Sequence, residues 1–203
     1  MKTGKIILIS GGARSGKSSF AEKLAQQLDE QVAYLATAQA LDEEMTARIK
    51  HHASRRPPGW HTFEEPLQPS GVIWENKGKY KTWLLDCVTL YVSNLLFKIT
   101  ATPMFKPIRQ DASIDISCQE VVMKEIETLV ETVDKASVTL LAVTNEVGWG
   151  LVPPDPLSRI YRDTVGKVNQ KLARHAEEVV LVTSGIPLRL KPEPLMVYNI
   201  GNS

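Results

Sequence analysis

The sequence predicts an α/β protein with a mostly parallel β-sheet covered by helices on both faces. Three observations predict it. Short apolar runs rich in β-branched residues alternate with helix-period segments along the 203 residues. The runs are continuously apolar, as expected of strands buried on both faces. The first run ends in a glycine-rich loop that opens onto a helical pattern, and alternation of this kind implies right-handed crossovers and a parallel sheet.

Lys5 to Ser10 is the first strand, and Ser18 to Leu28 carries Phe20, Ala21, Leu24, Ala25 and Leu28 at helical spacing. Gln31 to Ala36 reads as a second strand. Asp42 to Arg55 reads as a helix with acidic residues in its first turn, where they complement the dipole, and it ends at Arg55-Arg56-Pro57-Pro58-Gly59. Lys81 to Asp86 is a strand and Thr89 to Ile99 a helix. Thr102 to Ser117 holds two prolines and no steady period, so an irregular loop or insertion is expected over 102–117. Gln119 to Val133 is helical, Val138 to Thr144 a strand, Pro156 to Ala176 a long amphipathic helix and Glu178 to Thr183 a last strand. No stretch resembles a linker long enough to separate two units, so one domain is expected over 1–203.

Charge excludes some partners. With 24 basic and 23 acidic residues the net charge is +1, so no global field recruits nucleic acid or an anionic membrane, and any anion must be bound locally. Cys87 and Cys118 lack CxxC or metal-type spacing and read as reduced core thiols of a cytoplasmic protein. The run Ile6-Ile7-Leu8-Ile9 is too short for a signal peptide, and the longest apolar stretch, Thr82 to Phe97, is interrupted by Asp86. No membrane span is expected.

Gly11-Gly12-Ala13-Arg14-Ser15-Gly16-Lys17-Ser18 matches GxxxxGK[ST] between a predicted strand and a predicted helix, the context that a phosphate-binding P-loop requires. Glycines let backbone N–H groups turn inward around phosphate oxygens, and the following helix adds the positive end of its dipole. Lys17 is then expected to reach the β and γ phosphates and the Ser18 hydroxyl to sit on Mg²⁺. A P-loop enzyme also needs an acid at the end of a neighbouring apolar strand to hold the metal. Asp86 is the candidate, although an aspartate there also suits a helix cap. In an open parallel sheet, ligands bind outside the carboxyl ends of the strands, where Ser10, Thr37, Asp86, Asn145 and Thr183 fall.

In the second predicted helix, a spacing of ~100° per residue puts Leu41, Met45, Ile49 and His52 on one stripe, while His51 lies to the side near Glu44, Arg48 and Arg55. His52 reads as a packed core histidine. Nearby arginines disfavour protonation of His51, leaving an imidazole able to attack phosphorus. From spacing alone, a solvated polar face is the simpler account of His51.

Taken together, Ile9 to Ser18, Tyr34-Leu35-Ala36-Thr37-Ala38, Arg48-Ile49-Lys50-His51-His52, Arg56-Pro57 and Trp60 resemble the bifunctional adenosylcobinamide kinase / adenosylcobinamide-phosphate guanylyltransferase family. Leu85-Asp86-Cys87-Val88-Thr89, Ser93-Asn94-Leu95-Leu96, Val143 to Gly148, Arg162-Asp163 and Gly166 to Gln170 look like its other blocks, in order from about Ile6 to about Gly185. The resemblance implies a RecA-like P-loop NTPase fold and a homotrimer. It implies phosphorylation of the aminopropanol hydroxyl of adenosylcobinamide by a nucleoside triphosphate, with GTP and ATP as substrates and Mg²⁺ as cofactor. A histidine-bound GMP then forms from GTP and passes to adenosylcobinamide phosphate, in cobalamin biosynthesis. By this resemblance His51 is the guanylylated residue, Gly11 to Ser18 hold the phosphates, and Ala36, Thr37, Ala38, Arg56, Glu64 and Asp86 contact the nucleotide. The loop from Thr102 to Ile116 and the tail after Lys191 depart from the family pattern.

Two other functions fit parts of the chain. A different small-molecule P-loop kinase would leave His51 idle. A nucleotide-dependent switch would hydrolyse slowly and signal by shape change. The base for the substrate hydroxyl is open between Asp86 and Glu146.

Overall fold

The computed structural model describes residues 3–40, 42–54, 56–101 and 112–192, with the side chains of 44, 48, 51, 52 and 112–116 left outside that description. Seven strands form one sheet: β1 (Lys5–Ser10), β2 (Val32–Ala36), β3 (His61–Glu64), β4 (Thr82–Asp86), β5 (Thr139–Val143), β6 (Glu178–Thr183) and β7 (Ile186–Lys191). Their order is β3-β2-β4-β5-β1-β6-β7, and every pair is parallel except β6 with β7. The α/β fold class expected from the sequence is the one observed.

The continuous apolar runs are explained by what covers each face. Ile7, Ile9, Leu84, Leu141 and Val143 pack on Ala21 and Ala25 of α1 (Lys17–Leu28). Their sequence neighbours Ile6, Leu8, Trp83, Leu85 and Leu140 point the other way. There they meet α3 (Pro69–Glu75), α4 (Val88–Thr100), α5 (Ala112–Ala136) and α6 (Pro156–His175). Helix α6 starts at a sequence-coded cap: the Asp155 carboxylate accepts from Ser158 N at 2.8 Å, which holds that carboxyl below its usual range, and Pro156 follows. The remaining helix, α2 (Glu43–Ser54), lies at the carboxyl edge of the sheet, where Met45, Ile49 and Ala53 line a cavity.

Three differences from expectation have local causes. Strand β3 is four residues long with no buried member, so it lacks the apolar run that marks a strand. Strand β7 is exposed along most of its length and is set by a tight turn with Ser184 at φ 51° and Gly185 at φ 81°; Ser-Gly there is a hairpin signal. The irregular stretch expected over 102–117 is helical from Ala112 onward, while 102–111 lie outside the described residues. Cys118, Val122, Ile126, Leu129 and Val133 form a buried stripe at helical spacing, and the period extends upstream once the prolines are passed.

The register sets up the functional edge. Glu64, Ala36, Asp86, Val143 and Ile9 fall in one row across β3, β2, β4, β5 and β1. The carboxyl ends therefore finish level, and the loops that follow them converge.

Candidate nucleotide site

The loop after β1 takes the expected shape. Gly16 precedes α1 at φ 94°, a left-handed conformation that side chains rarely adopt, and a Cβ on Gly11 would stand 2.3 Å from Val182 O. Inside the loop, Ser15 N donates to Gly12 O at 3.2 Å and Lys17 Nζ donates to the same carbonyl at 3.1 Å. From outside, Gly185 N donates to Ser15 O at 2.9 Å, so the β6–β7 turn braces the loop. The Ser15 hydroxyl is buried with no hydrogen-bond partner, the condition of a group that an anion would satisfy.

A cavity of about 610 Å³ opens beside this loop at the carboxyl edge. Lys17, Ser18, Ala36, Ala38, Arg56, Glu64 and Asp86 all line it, drawn from five separate stretches of sequence. Asn145, one of the strand ends expected at the ligand edge, lines it as well, and so do Tyr34 and Tyr161, which the sequence does not mark as contacts. Thr37 behaves differently: it is fully buried behind the wall, where its hydroxyl donates to Cys87 O at 2.8 Å and accepts from Cys87 N at 2.9 Å. Asn94 Nδ2 adds bonds to Thr37 O at 2.8 Å and Pro66 O at 3.2 Å. These bonds tie the turn after β2 to the end of β4.

Asp86 is not the cap of α4. That cap is Cys87, with no side-chain bond, while Asp86 Oδ2 accepts from the Tyr34 hydroxyl at 2.9 Å. The Arg56 guanidinium stacks on the Tyr34 ring at 3.6 Å and reaches Thr62 Oγ1 at 3.0 Å, with its Nε buried and unbonded. One buried tyrosine thus holds both a cation and an anion of the cavity wall, and burial, then the Asp86 carboxylate, pushes its phenol well up. Burial likewise raises the Cys87 thiol and takes the Tyr161 phenol up to about 12. Tyr34 carried a legible signal, since a tyrosine inside an apolar strand needs a partner for its hydroxyl.

The strand next to β1 is β5, so Asp86 stands on the second strand away, about 10 Å across at the usual strand spacing. The acid beside the loop is Glu146: its carboxylate accepts from the Ser10 hydroxyl, and its N–H donates to Gly11 O at 3.3 Å. Asn169 closes the same edge, accepting from Thr144 Oγ1 at 2.6 Å and donating to Asn145 O at 3.2 Å. Sequence order does not reveal strand order, which is why Asp86 read as the neighbour.

His51 lies in α2, but its side chain and that of His52 are outside the described residues. Leu41 of the same stripe also lies outside the described residues, and the stripe's two described members do not meet a core. Met45 and Ile49, with Ala53, line the cavity.

The profile of the cobinamide kinase / cobinamide phosphate guanyltransferase family matches residues 7–190, nearly the whole chain. The chain belongs to this family. Bifunctional adenosylcobalamin biosynthesis protein CobU of Escherichia coli K12 is 41% identical over 186 residues, covering 92% of this chain and 99% of that protein. CobP of Pseudomonas aeruginosa, which carries the same description, is 40% identical over 188 residues, covering 93% and 98%. A crystal structure of RadB recombinase aligns with 89% of this chain and 74% of its own at 13% identity and TM-score 0.41, a likeness too weak to carry an argument. As a member of the cobinamide kinase / cobinamide phosphate guanyltransferase family the chain is an enzyme, and its P-loop cavity is the part of the fold suited to nucleotide chemistry. Among the described residues no helix is long and apolar enough to cross a membrane.

Proposed function

We propose that this chain phosphorylates the aminopropanol hydroxyl of adenosylcobinamide with GTP or ATP, then transfers GMP from GTP through His51 to the new phosphate. One observation supports it above the others: Lys17, Ser18, Arg56, Glu64 and Asp86 line a single cavity against which α2, the helix that carries His51, is packed.

In the kinase step the substrate oxygen loses its proton to a carboxylate and attacks the γ-phosphorus, and the bond to the β–γ bridging oxygen breaks to release the diphosphate. Lys17 and the loop N–H groups neutralise charge on the phosphate oxygens. The proton goes to Asp86 or Glu146. Asp86 faces the cavity, whereas Glu146 is engaged by Ser10. In the second reaction a His51 ring nitrogen attacks the α-phosphorus of GTP and pyrophosphate leaves. A phosphate oxygen of the cobinamide phosphate then attacks the phosphoramidate phosphorus, the histidine nitrogen leaves, and adenosylcobinamide-GDP is released.

Ser18 and Asp86 are the groups that would hold Mg²⁺. Both are hard oxygen donors on the same cavity, and Mg²⁺ at phosphates needs only one or two protein oxygens beside water, so no denser acidic cluster is required. Bound there, the ion would offset charge on the phosphates. A homotrimer working in the cytoplasm belongs to the same proposal, and Ile186, Leu188 and Leu190, exposed on edge strand β7, support contact between copies.

Incubation with GTP labelled at the α-phosphate tests the covalent step. Acid-labile, base-stable label on the peptide that holds His51 is expected. His51→Asn should lose the label and guanylyl transfer while keeping kinase turnover, and His52→Asn should keep the label. Label on His52, or normal transfer by His51→Asn, rules out this assignment.

A further inference from the structure

The nucleotide cavity is not the end of the groove. A second cavity, of about 170 Å³, lies between α4 and α6, and the two share Tyr161 as a common wall. Along α4 the lining passes from Thr89 and Leu90 at the nucleotide cavity to Ser93, Leu96 and Phe97 at the second, in helical steps that keep one face. On α6, Leu157 and Ser158 sit one turn before Tyr161. Leu96 and Leu157 are apolar, Ser93 and Ser158 bring hydroxyls, and among the described residues no charged side chain lines this cavity.

Resting on the function proposed above, we propose that this α4–α6 groove is the corrinoid subsite, taking a carboxamide arm and the adjoining edge of the macrocycle while the aminopropanol arm enters the nucleotide cavity past Tyr161. Four observations carry it. The hydroxyls of Ser93 and Ser158 suit a primary amide, which both donates and accepts, and the described lining residues offer a phosphate or carboxylate no cation. The volume is too small for a nucleoside, whose place is the larger cavity with Lys17 and Arg56. A corrin ring cannot enter either cavity whole and must rest on the surface between them. Apolar side chains are exposed on the segments that wall the cavities: Phe97 of the second cavity is 59% exposed, and the stretch of chain from Asn145 of one cavity to Leu157 of the other carries Trp149 at 68%, Leu151 at 95% and Val152 at 67%.

Ser93→Phe, which fills the groove, and Phe97→Ala, at a side chain exposed enough to spare the fold, test it with adenosylcobinamide, the substrate proposed above and written cobinamide below, as the probe. Four readouts apply: cobinamide affinity by equilibrium dialysis, affinity for a fluorescent GTP analogue, covalent label from α-labelled GTP, and sedimentation. Both variants are expected to bind cobinamide about tenfold more weakly, on the order of one apolar side chain's contribution, with GTP affinity, label and sedimentation unchanged. Unchanged cobinamide affinity in either folded variant overturns the subsite. So does a shift in oligomeric state with cobinamide affinity intact, which would make the groove an interface between copies, and so does an equal loss of GTP affinity. Wild-type protein that binds GTP but no cobinamide overturns the proposed function and the subsite together, whereas wild-type binding with unaffected variants overturns the subsite alone.

Discussion

Lys17 and Tyr34 show how different the burdens on single residues can be. Lys17 lines the cavity and donates to the Gly12 carbonyl of its own loop, and it is no part of the buried core, so its replacement by alanine leaves the packed core intact. Lys17→Ala should therefore melt within a few degrees of the wild type yet lower both the kinase and guanylyl-transfer rates, by about 10²- to 10³-fold. Near-normal turnover would rule out Gly11 to Ser18 as the catalytic phosphate loop. Tyr34 works indirectly, by holding Asp86 through its hydroxyl and Arg56 through its ring. Tyr34→Phe keeps the ring under Arg56 and frees Asp86, so kcat should fall with little change in nucleotide KM. Tyr34→Leu loses the stacking too, so KM should also rise. A KM change in the phenylalanine variant equal to that in the leucine variant would show that the two partners are not held separately.

At the scale of elements, the end of β4 is fastened to the turn after β2 by Thr37, whose hydroxyl both accepts from and donates to the Cys87 backbone. Thr37→Val is nearly isosteric and strands both backbone groups in a fully buried place. It should cost about 1–3 kcal/mol in urea unfolding, while Thr37→Ser recovers most of it. Full stability in Thr37→Val would mean that these bonds add nothing to the joint. Trp83 is fully buried in the middle of β4, and Trp83→Ala should cost about 3–5 kcal/mol in the same experiment.

For the whole molecule, the sheet has two edges of different character. Strand β3 ends one side, and β7 ends the other with Ile186, Leu188 and Leu190 all exposed. If β7 joins copies, wild-type protein should sediment at three times the chain mass and Leu188→Arg should release smaller species. The β6–β7 turn also donates a hydrogen bond to the phosphate loop, so an oligomer broken at β7 should bind nucleotide less tightly. A trimer that survives Leu188→Arg with unchanged nucleotide affinity would place the contact elsewhere.

The sequence by itself determined what depends on nearby residues. The phosphate loop needs eight consecutive positions, and these specify its glycines, lysine and serine in order. The strands that meet helices on both faces had to be continuously apolar, so β1, β4, β5 and β6 were legible, as was the capped start of α6. What only the tertiary structure decided is which surfaces meet. Helical period shows that Met45 and Ile49 share a face, but that face lines a cavity instead of a core, because α2 lies over the carboxyl edge and not on the sheet. An apolar run marks a strand without fixing its neighbours, so the insertion of β5 between β4 and β1 was hidden, and with it the closeness of Glu146 to the loop. The bond from Tyr34 to Asp86 spans 52 positions of chain and arises because β2 and β4 pair in register, a fact that no window of sequence contains.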